Sequence, residues 1–311
     1  MTYRSINLYS SKNILSAAGV TVLYLLVSYF LIGFKTDQLV LVGFFNFCYF
    51  LSATSRKFIL GFSIFIVYWI IFDYMKAFPN YRFNAVHIQD LYNNEKSLFG
   101  IGAGSSRITP NEFWIANQNS FLDVMTGIFY LCWIPVPLAF AAYLFFKDKK
   151  LFLQFAFTFV FVNFIGFIIY YAYPAAPPWY IQLNGNNFIA NTKANTAGLA
   201  RFDSFFNVTI FTNLYTKGSN VFAAMPSLHS SYPLIVFYYG VKKKVRSLMV
   251  AVFAAVMLGI WFAAVYTSHH YVLDVLAGII CAGIGIVLFQ KALLKNTLFN
   301  KLLEKYRTVI S

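Results

Sequence analysis

Eight long apolar stretches separated by polar breaks set the rhythm of the chain, at roughly 13–34, 38–55, 57–77, 121–146, 151–173, 226–241, 246–267 and 270–292. They are apolar throughout rather than striped, as a helix in contact with lipid and other apolar helices requires. The second and sixth are short for a bilayer, and the third carries Asp73 near its end. The pattern predicts an all-α polytopic membrane protein with about eight transmembrane helices. The first stretch is too long for a signal peptide, and Ile32-Gly33-Phe34-Lys35 offers no small-x-small cleavage site, so it reads as a span.

Two of the polar breaks are long, at 77–120 and 174–225. Within the first, His87 to Phe99 predicts a short amphipathic helix ended by Gly100 and Gly102. Its apolar positions 88, 91, 98 and 99 suit a helix on the membrane surface, or one that caps the bundle. The second break opens with Tyr173-Pro174-Ala175-Ala176-Pro177-Pro178-Trp179-Tyr180, whose prolines stop the preceding helix and hold the backbone extended. Trp179 and Tyr180 fit the headgroup level of a bilayer. They predict either a rigid aromatic anchor or, with Tyr173 and Pro177, the wall of a lipid-headgroup pocket. Asn184 to Gly198 reads as a lid or a plain connection.

Composition agrees with the pattern: 59% of the 311 residues are hydrophobic and 11% charged, where a soluble domain carries about a quarter charged. Charge then supplies the topology. With alternating spans, 16 of the 24 basic residues fall on one side, mostly in short loops, and 8 on the side of the two long loops. The positive-inside bias puts both termini in the cytoplasm and the long loops outside. The net charge of +14 follows from this bias and from attraction to anionic headgroups, and no nucleic-acid partner is expected. The three cysteines lie inside predicted spans without metal-like spacing. Three regions follow: an N-terminal block at 1–120, a core at 121–292 and a cytoplasmic tail at 293–311.

Three of the four histidines occur in Pro226-Ser227-Leu228-His229 and Ser268-His269-His270-Tyr271-Val272-Leu273-Asp274, each at the edge of an apolar run. The i,i+4 spacing of His270 and Asp274 allows a carboxylate to reach the imidazole from one helix face. A second histidine on another helix completes what phosphoryl or acyl transfer needs, a nucleophile with an orienting acid and a separate proton donor. Singly, each residue also has a structural reading, with the histidines hydrogen-bonded and Asp274 capping a helix. A metal site would need an acidic or cysteine partner near His229, and none is evident, so neither metal nor cofactor is expected.

Pro226-Ser227-Leu228-His229-Ser230 resembles the Pro-Ser-x-His motif of the type 2 phosphatidic acid phosphatase superfamily. The segment Val265 to Asp274 resembles its last motif, ending in His-x-x-x-Asp. The resemblance covers roughly 121–292 and implies a six-helix-type core. Two departures bear on the substrate. The superfamily's phosphatases place an Arg six residues before the nucleophilic histidine, where this chain has Ala264. Their Lys-x6-Arg-Pro motif aligns with Gly166 and Tyr173-Pro174. Those cations neutralise a phosphate monoester of charge about −2, whereas a diester carries about −1 and needs fewer.

The altered pattern resembles the inositol phosphorylceramide synthase branch, which shares His-His-Tyr-x-x-Asp and Ala-Pro-Pro-Trp-Tyr type segments. That resemblance implies transfer of phosphoinositol from phosphatidylinositol to a ceramide hydroxyl, with diacylglycerol released. It implies His270 as nucleophile through a phosphohistidine, Asp274 as its orienting acid and His229 as acid and base. Ser227 and the adjoining amides would bind phosphate, with His269 in support. Replacement cations are expected from Arg82, Arg201 or Lys217, and Asp73 is a candidate for inositol hydroxyls. A lipid phosphate phosphatase is the alternative. A transporter fits less well, because the polar residues gather at one face rather than mid-membrane. The setting expected is a bacterial inner membrane, with the site on the periplasmic face and no obligate protein partner.

Overall fold

The computed structural model describes residues 8–216, 218 and 220–311. Helices α1 (Ser11–Ile32), α2 (Thr36–Leu51) and α3 (Ala53–Tyr74) form the N-terminal block. The Ser10 and Ser52 hydroxyls accept the N–H groups of Asn13 and Ser55, satisfying donors that a helix start leaves unpaired. The first outer loop holds α4 (Gln89–Phe99) and α5 (Pro110–Ala116). Then come α6 (Ser120–Leu131), α7 (Pro135–Lys147) and α8 (Lys149–Ala172). The second outer loop holds α9 (Pro178–Asn184), α10 (Ala200–Phe206) and α11 (Ile210–Tyr215). The chain ends with α12 (Leu228–Lys243), α13 (Ser247–Tyr266), α14 (Val272–Lys291) and α15 (Thr297–Ile310).

Among the described residues six helical segments are long and apolar enough to cross a bilayer, and Thr36–Leu51 is a shorter apolar helix. With α12, 16 residues long, these match the eight stretches of the sequence. The fourth differs in one respect: it is broken between Leu131 and Pro135. Pro135 has no N–H to continue the ladder, and its fixed φ suits the first turn of a new helix. Trp133, carried in this break, packs on the site below.

The core is aromatic. Phe145, Phe152, Phe155 and Tyr239 are buried and meet edge to face along α7, α8 and α12. Buried polar groups within it are paired: the Tyr68 and Tyr232 hydroxyls lie 2.8 Å apart, and Tyr232 donates to Asn163 Oδ1 at 2.6 Å. Around α12 stand α7, α8, α13 and α14. Pro233 interrupts the ladder inside α12, and Trp261 of α13 donates to the nearby Ser230 carbonyl at 2.9 Å. Residues after 293, expected as a tail, form α15 packed on α3 and α8.

The two outer loops join through main chain. His87 and Ala223 both pair with Ala175 in parallel bridges. Ala175 donates to the Phe222 carbonyl at 2.9 Å, and its own carbonyl accepts from Ala224 at 3.2 Å. The proline-rich stretch supplies the extended backbone this requires. Helix α4 starts two residues later than its pattern suggests and buries Leu91 and Glu95, so it caps the bundle.

The α12–α14 approach sets the site. A Cβ on Gly278 would lie 2.1 Å from the Ser227 carbonyl oxygen, and Ser231 Oγ donates to the Gly278 carbonyl at 2.8 Å. Gly278→Ala is therefore expected to destabilise the protein by about 1–3 kcal/mol, read as a lower melting temperature in detergent. Gly283→Ala, in the same helix with nothing within 4 Å, should leave the melting temperature unchanged or raise it slightly.

Candidate active site

The first element of the site is the start of α12. Ser227 sits at its N-cap, fully buried; its N–H donates to the Asp274 carbonyl at 2.9 Å and its hydroxyl accepts from Ser230 at 3.1 Å. The residue expected to bind phosphate thus ties α12 to the first turn of α14. His229, half-buried in the opening turn of α12, is held at the height of that turn.

The second element is the turn between α13 and α14. Ser268 adopts a left-handed φ of 59°, a conformation that costs a non-glycine residue about 1 kcal/mol or more. The surroundings impose it: Trp179 N–H donates to the Ser268 carbonyl and Gln182 to its hydroxyl, both at 3.1 Å. The N–H groups of His269 and His270 converge on the Ala264 carbonyl at 3.1 and 2.9 Å. Buried Asn111 of α5 clamps the turn from outside, donating to the carbonyls of Val265 and His270 at 2.8 and 3.0 Å.

His270 lies on this turn, before the helix, and not one helical turn from Asp274 as the spacing suggests. Asp274 is the third residue of α14 and fully buried. Its Oδ2 accepts the Tyr271 N–H at 2.8 Å and lies 3.5 Å from His270 Nδ1. A carboxylate capping its own helix start therefore also faces the imidazole. The i,i+4 spacing serves both geometries, which is why sequence alone does not separate them.

On the other side of the ring, His270 Nε2 lies 3.1 Å from His229 Nδ1. One imidazole thus has a carboxylate at one nitrogen and a second histidine at the other. Trp133 stands edge to face with His229 at 4.4 Å, and Tyr130 lies 5.3 Å from the same ring. These walls keep the site low in dielectric, where charge interactions are strong. His269 does not face His270. Its ring stacks on Tyr215 at 4.5 Å, and its Nε2 meets the Thr196 carbonyl at 3.0 Å, so it fastens the second outer loop to the turn.

Arg201, on α10, comes close to the site. Its Nε donates to Asp123 Oδ1 at 2.6 Å, and the Tyr266 hydroxyl donates to the same oxygen at 2.8 Å. The guanidinium lies against Gly198, where a Cβ would sit 2.9 Å from Nη2 and 2.8 Å from the Thr267 Cα. Buried Nη2 has no hydrogen-bond partner among the described residues. Arg82 is exposed, and Lys217 lies outside the described residues. Asp73 pairs with Lys76 at the outer end of α3, with no hydrogen bond or ion pair to the histidines among the described residues.

The Pro177-to-Tyr180 segment is buried within the outer layer and not spread at the bilayer surface. Trp179 and Tyr180 pack with Ile88, Ala176 and Phe222. Tyr173 closes α8, its ring stacked on His87 at 3.7 Å. The positions without the superfamily's cations are physically occupied. Gly166 faces Leu228, whose Cδ2 would be 2.7 Å from an added Cβ, and the Ala264 carbonyl receives the two histidine amides. Sequence reasoning missed Asn111, Glu95 and Asp123. Thr109-Pro110-Asn111-Glu112 does carry a capping-box signature, formed here with Glu112 accepting the Thr109 N–H at 2.7 Å. That signature locates α5 but does not reveal what Asn111 holds.

The pattern of the PAP2 (type 2 phosphatidic acid phosphatase) superfamily matches residues 107–288, from α5 through the three histidines to most of α14. The chain is 41% identical over 298 residues to the phosphoinositol dihydroceramide synthase of Bacteroides thetaiotaomicron, spanning 96% of this chain and 98% of that protein. It is 29% identical over 246 residues to the inositol phosphorylceramide synthase catalytic subunit AUR1 of Saccharomyces cerevisiae, spanning 77% of this chain and 57% of the yeast protein. With the inositol phosphorylceramide synthase of Candida albicans it shares 31% identity over 173 residues, 52% of this chain and 36% of that one. No solved structure matches it. Matching pattern, near full-length relative and paired histidines agree: the chain belongs to the PAP2 superfamily, in its inositol phosphorylceramide synthase branch.

Proposed function

We propose that this chain is a membrane phosphotransferase that moves phosphoinositol from phosphatidylinositol to the primary hydroxyl of a ceramide or dihydroceramide, through a phosphohistidine. The observation that carries this reading is the line Asp274–His270–His229, with 3.5 Å on one side of the central ring and 3.1 Å on the other. The relatives' names supply the substrate pair, and Gly166, Tyr173 and Ala264 at the superfamily's cation positions favour a diester over a monoester.

In the first half-reaction His270 Nε2 attacks phosphorus. The N–P bond forms as the bond to the diacylglycerol oxygen breaks, and His229 gives that oxygen a proton. Asp274, at Nδ1, fixes the tautomer and stabilises the positive ring. In the second half the ceramide hydroxyl attacks the phosphohistidine, His229 takes its proton, and the N–P bond breaks. Arg201 supplies positive charge to the phosphate or headgroup through Nη2, with Asp123 and Tyr266 holding its other edge. Ser227 contributes through the α12–α14 tie.

The basic residues at the opposite ends of the helices, such as Lys149, Lys243 and Lys291, support a cytoplasmic assignment for that end. The site would then face the periplasm of a bacterial inner membrane, with both termini inside.

Purified protein incubated in detergent with phosphatidylinositol and labelled ceramide should convert the label to a more polar lipid and release diacylglycerol. Phosphate release from phosphatidic acid with no labelled product would establish the phosphatase instead. His270→Ala should abolish transfer, and normal turnover by that variant would remove the nucleophile assignment. His229→Ala should slow transfer by roughly 10²–10⁴-fold, measured as initial rate at saturating lipid.

A further inference from the structure

Glu95 is a charged side chain with no part in the chemistry above, yet its exposure is 0%. It projects from α4, in the first outer loop, to the start of α14. Its Oε1 accepts the Val272 N–H at 2.9 Å, and its Oε2 accepts the Leu273 N–H at 3.1 Å. These belong to the first two residues of α14, whose N–H groups have no partner inside the helix. Tyr271, immediately before, gives its N–H to Asp274. Two buried carboxylates therefore divide the donors of one helix start.

The division bears on His270. Asp274 Oδ2 is shared between the Tyr271 N–H and the His270 ring. Without Glu95, the Val272 and Leu273 donors would compete for the only other carboxylate within reach, which is Asp274. Its aim at His270 Nδ1 would be lost. Rotation of that first turn would also move His270, two residues before Val272, relative to His229.

We propose that Glu95 is a positioning residue for the His270–Asp274 pair: it anchors the first turn of α14 from the outer layer, leaving Asp274 directed at the imidazole. This rests on the proposed role of that pair. It also gives the outer loop a task, since α4 delivers a charged clamp to the helix that carries the acid.

The clamp is sensitive to pH in the neutral range. Burial pushes the Glu95 carboxyl up to about 7, against the pull of the two N–H donors, and Asp274 adds to the rise. The other groups around this helix start are Tyr271, Tyr92 and Lys96 on α4, and Glu112 of α5, which accepts the Tyr92 hydroxyl. Because the folded value lies above the ordinary 4.5, the group's contribution to stability is full below that value and lost as pH rises through about 7. The charge on the clamp runs the other way, growing as pH rises through the same range. Positioning and bulk stability thus predict opposite slopes.

The test compares wild type with Glu95→Gln, which keeps one acceptor oxygen, and with Glu95→Ala. Transfer of headgroup to labelled ceramide is followed from about pH 6 to 8, with melting temperature taken at each pH. At the upper end, Glu95→Gln should lower kcat roughly ten-fold and leave KM for both lipids unchanged, as loss of one charge-assisted bond predicts. Glu95→Ala should lower kcat about 10²-fold, the scale of a misplaced catalytic group. The gap between wild type and Glu95→Gln should narrow toward pH 6, where the wild-type clamp is itself protonated. Glu112→Gln, which removes a carboxylate that caps α5 and not α14, should retain wild-type kcat.

Equal gaps at both ends of the range, or a loss of kcat matched by a loss of folded protein, would overturn the inference. So would unimpaired turnover by Glu95→Gln. A wild-type protein that fails to transfer headgroup would instead overturn the proposed function.

Discussion

The hydrogen bond from Ser227 N–H to the Asp274 carbonyl, 2.9 Å long, is the contact on which the site depends. It joins the starts of two helices that are far apart in sequence and carry complementary halves of the chemistry. The bond forms because Gly278 lets the α12 start come within a distance that any Cβ would forbid. His229 and His270 then meet at 3.1 Å with no direct bond between their backbones. Everything else in the outer half of the molecule, Asn111 on the turn and Glu95 on the helix start included, acts to keep that approach from shifting.

The substrate distinction has a packing basis as well as an electrostatic one. A lysine at 166 would have to displace Leu228, which directly precedes His229. An arginine at 264 would have to fit at a fully buried position whose carbonyl holds both histidine amides. The lost cations are thus part of how the α8–α12–α14 contacts close. Within reach of the turn the remaining positive group is Arg201, and its charge is shared with Asp123. A site so arranged is matched to an anion of low charge.

Much of this was legible in the sequence. Lipid forces spans to be apolar for their whole length, so the eight stretches stand out, and histidines are conspicuous where few polar residues occur. The break before Pro135 was less legible, because apolar continuity on both sides hides a turn that the proline signals. Trp179 and Tyr180 carry the composition of an interfacial belt, yet they fill the interior of the outer layer. Composition reports affinity for a half-polar environment but not which one. Glu95 and Asn111 sit in polar loops where buried and exposed residues of the same type look alike. Their importance comes from contacts across more than 150 positions, and no local pattern encodes those.

The two outer loops are zipped at Ala175 by main-chain hydrogen bonds alone. A joint of that kind is indifferent to side-chain identity, provided the backbone stays extended and free of bulk. Amino acids on the outward faces of both loops can therefore be exchanged without moving the helices beneath. The scaffold holds its chemistry in the bundle and leaves its rim open to variation, so a change of headgroup or of acceptor lipid can arise there without rebuilding the histidine pair.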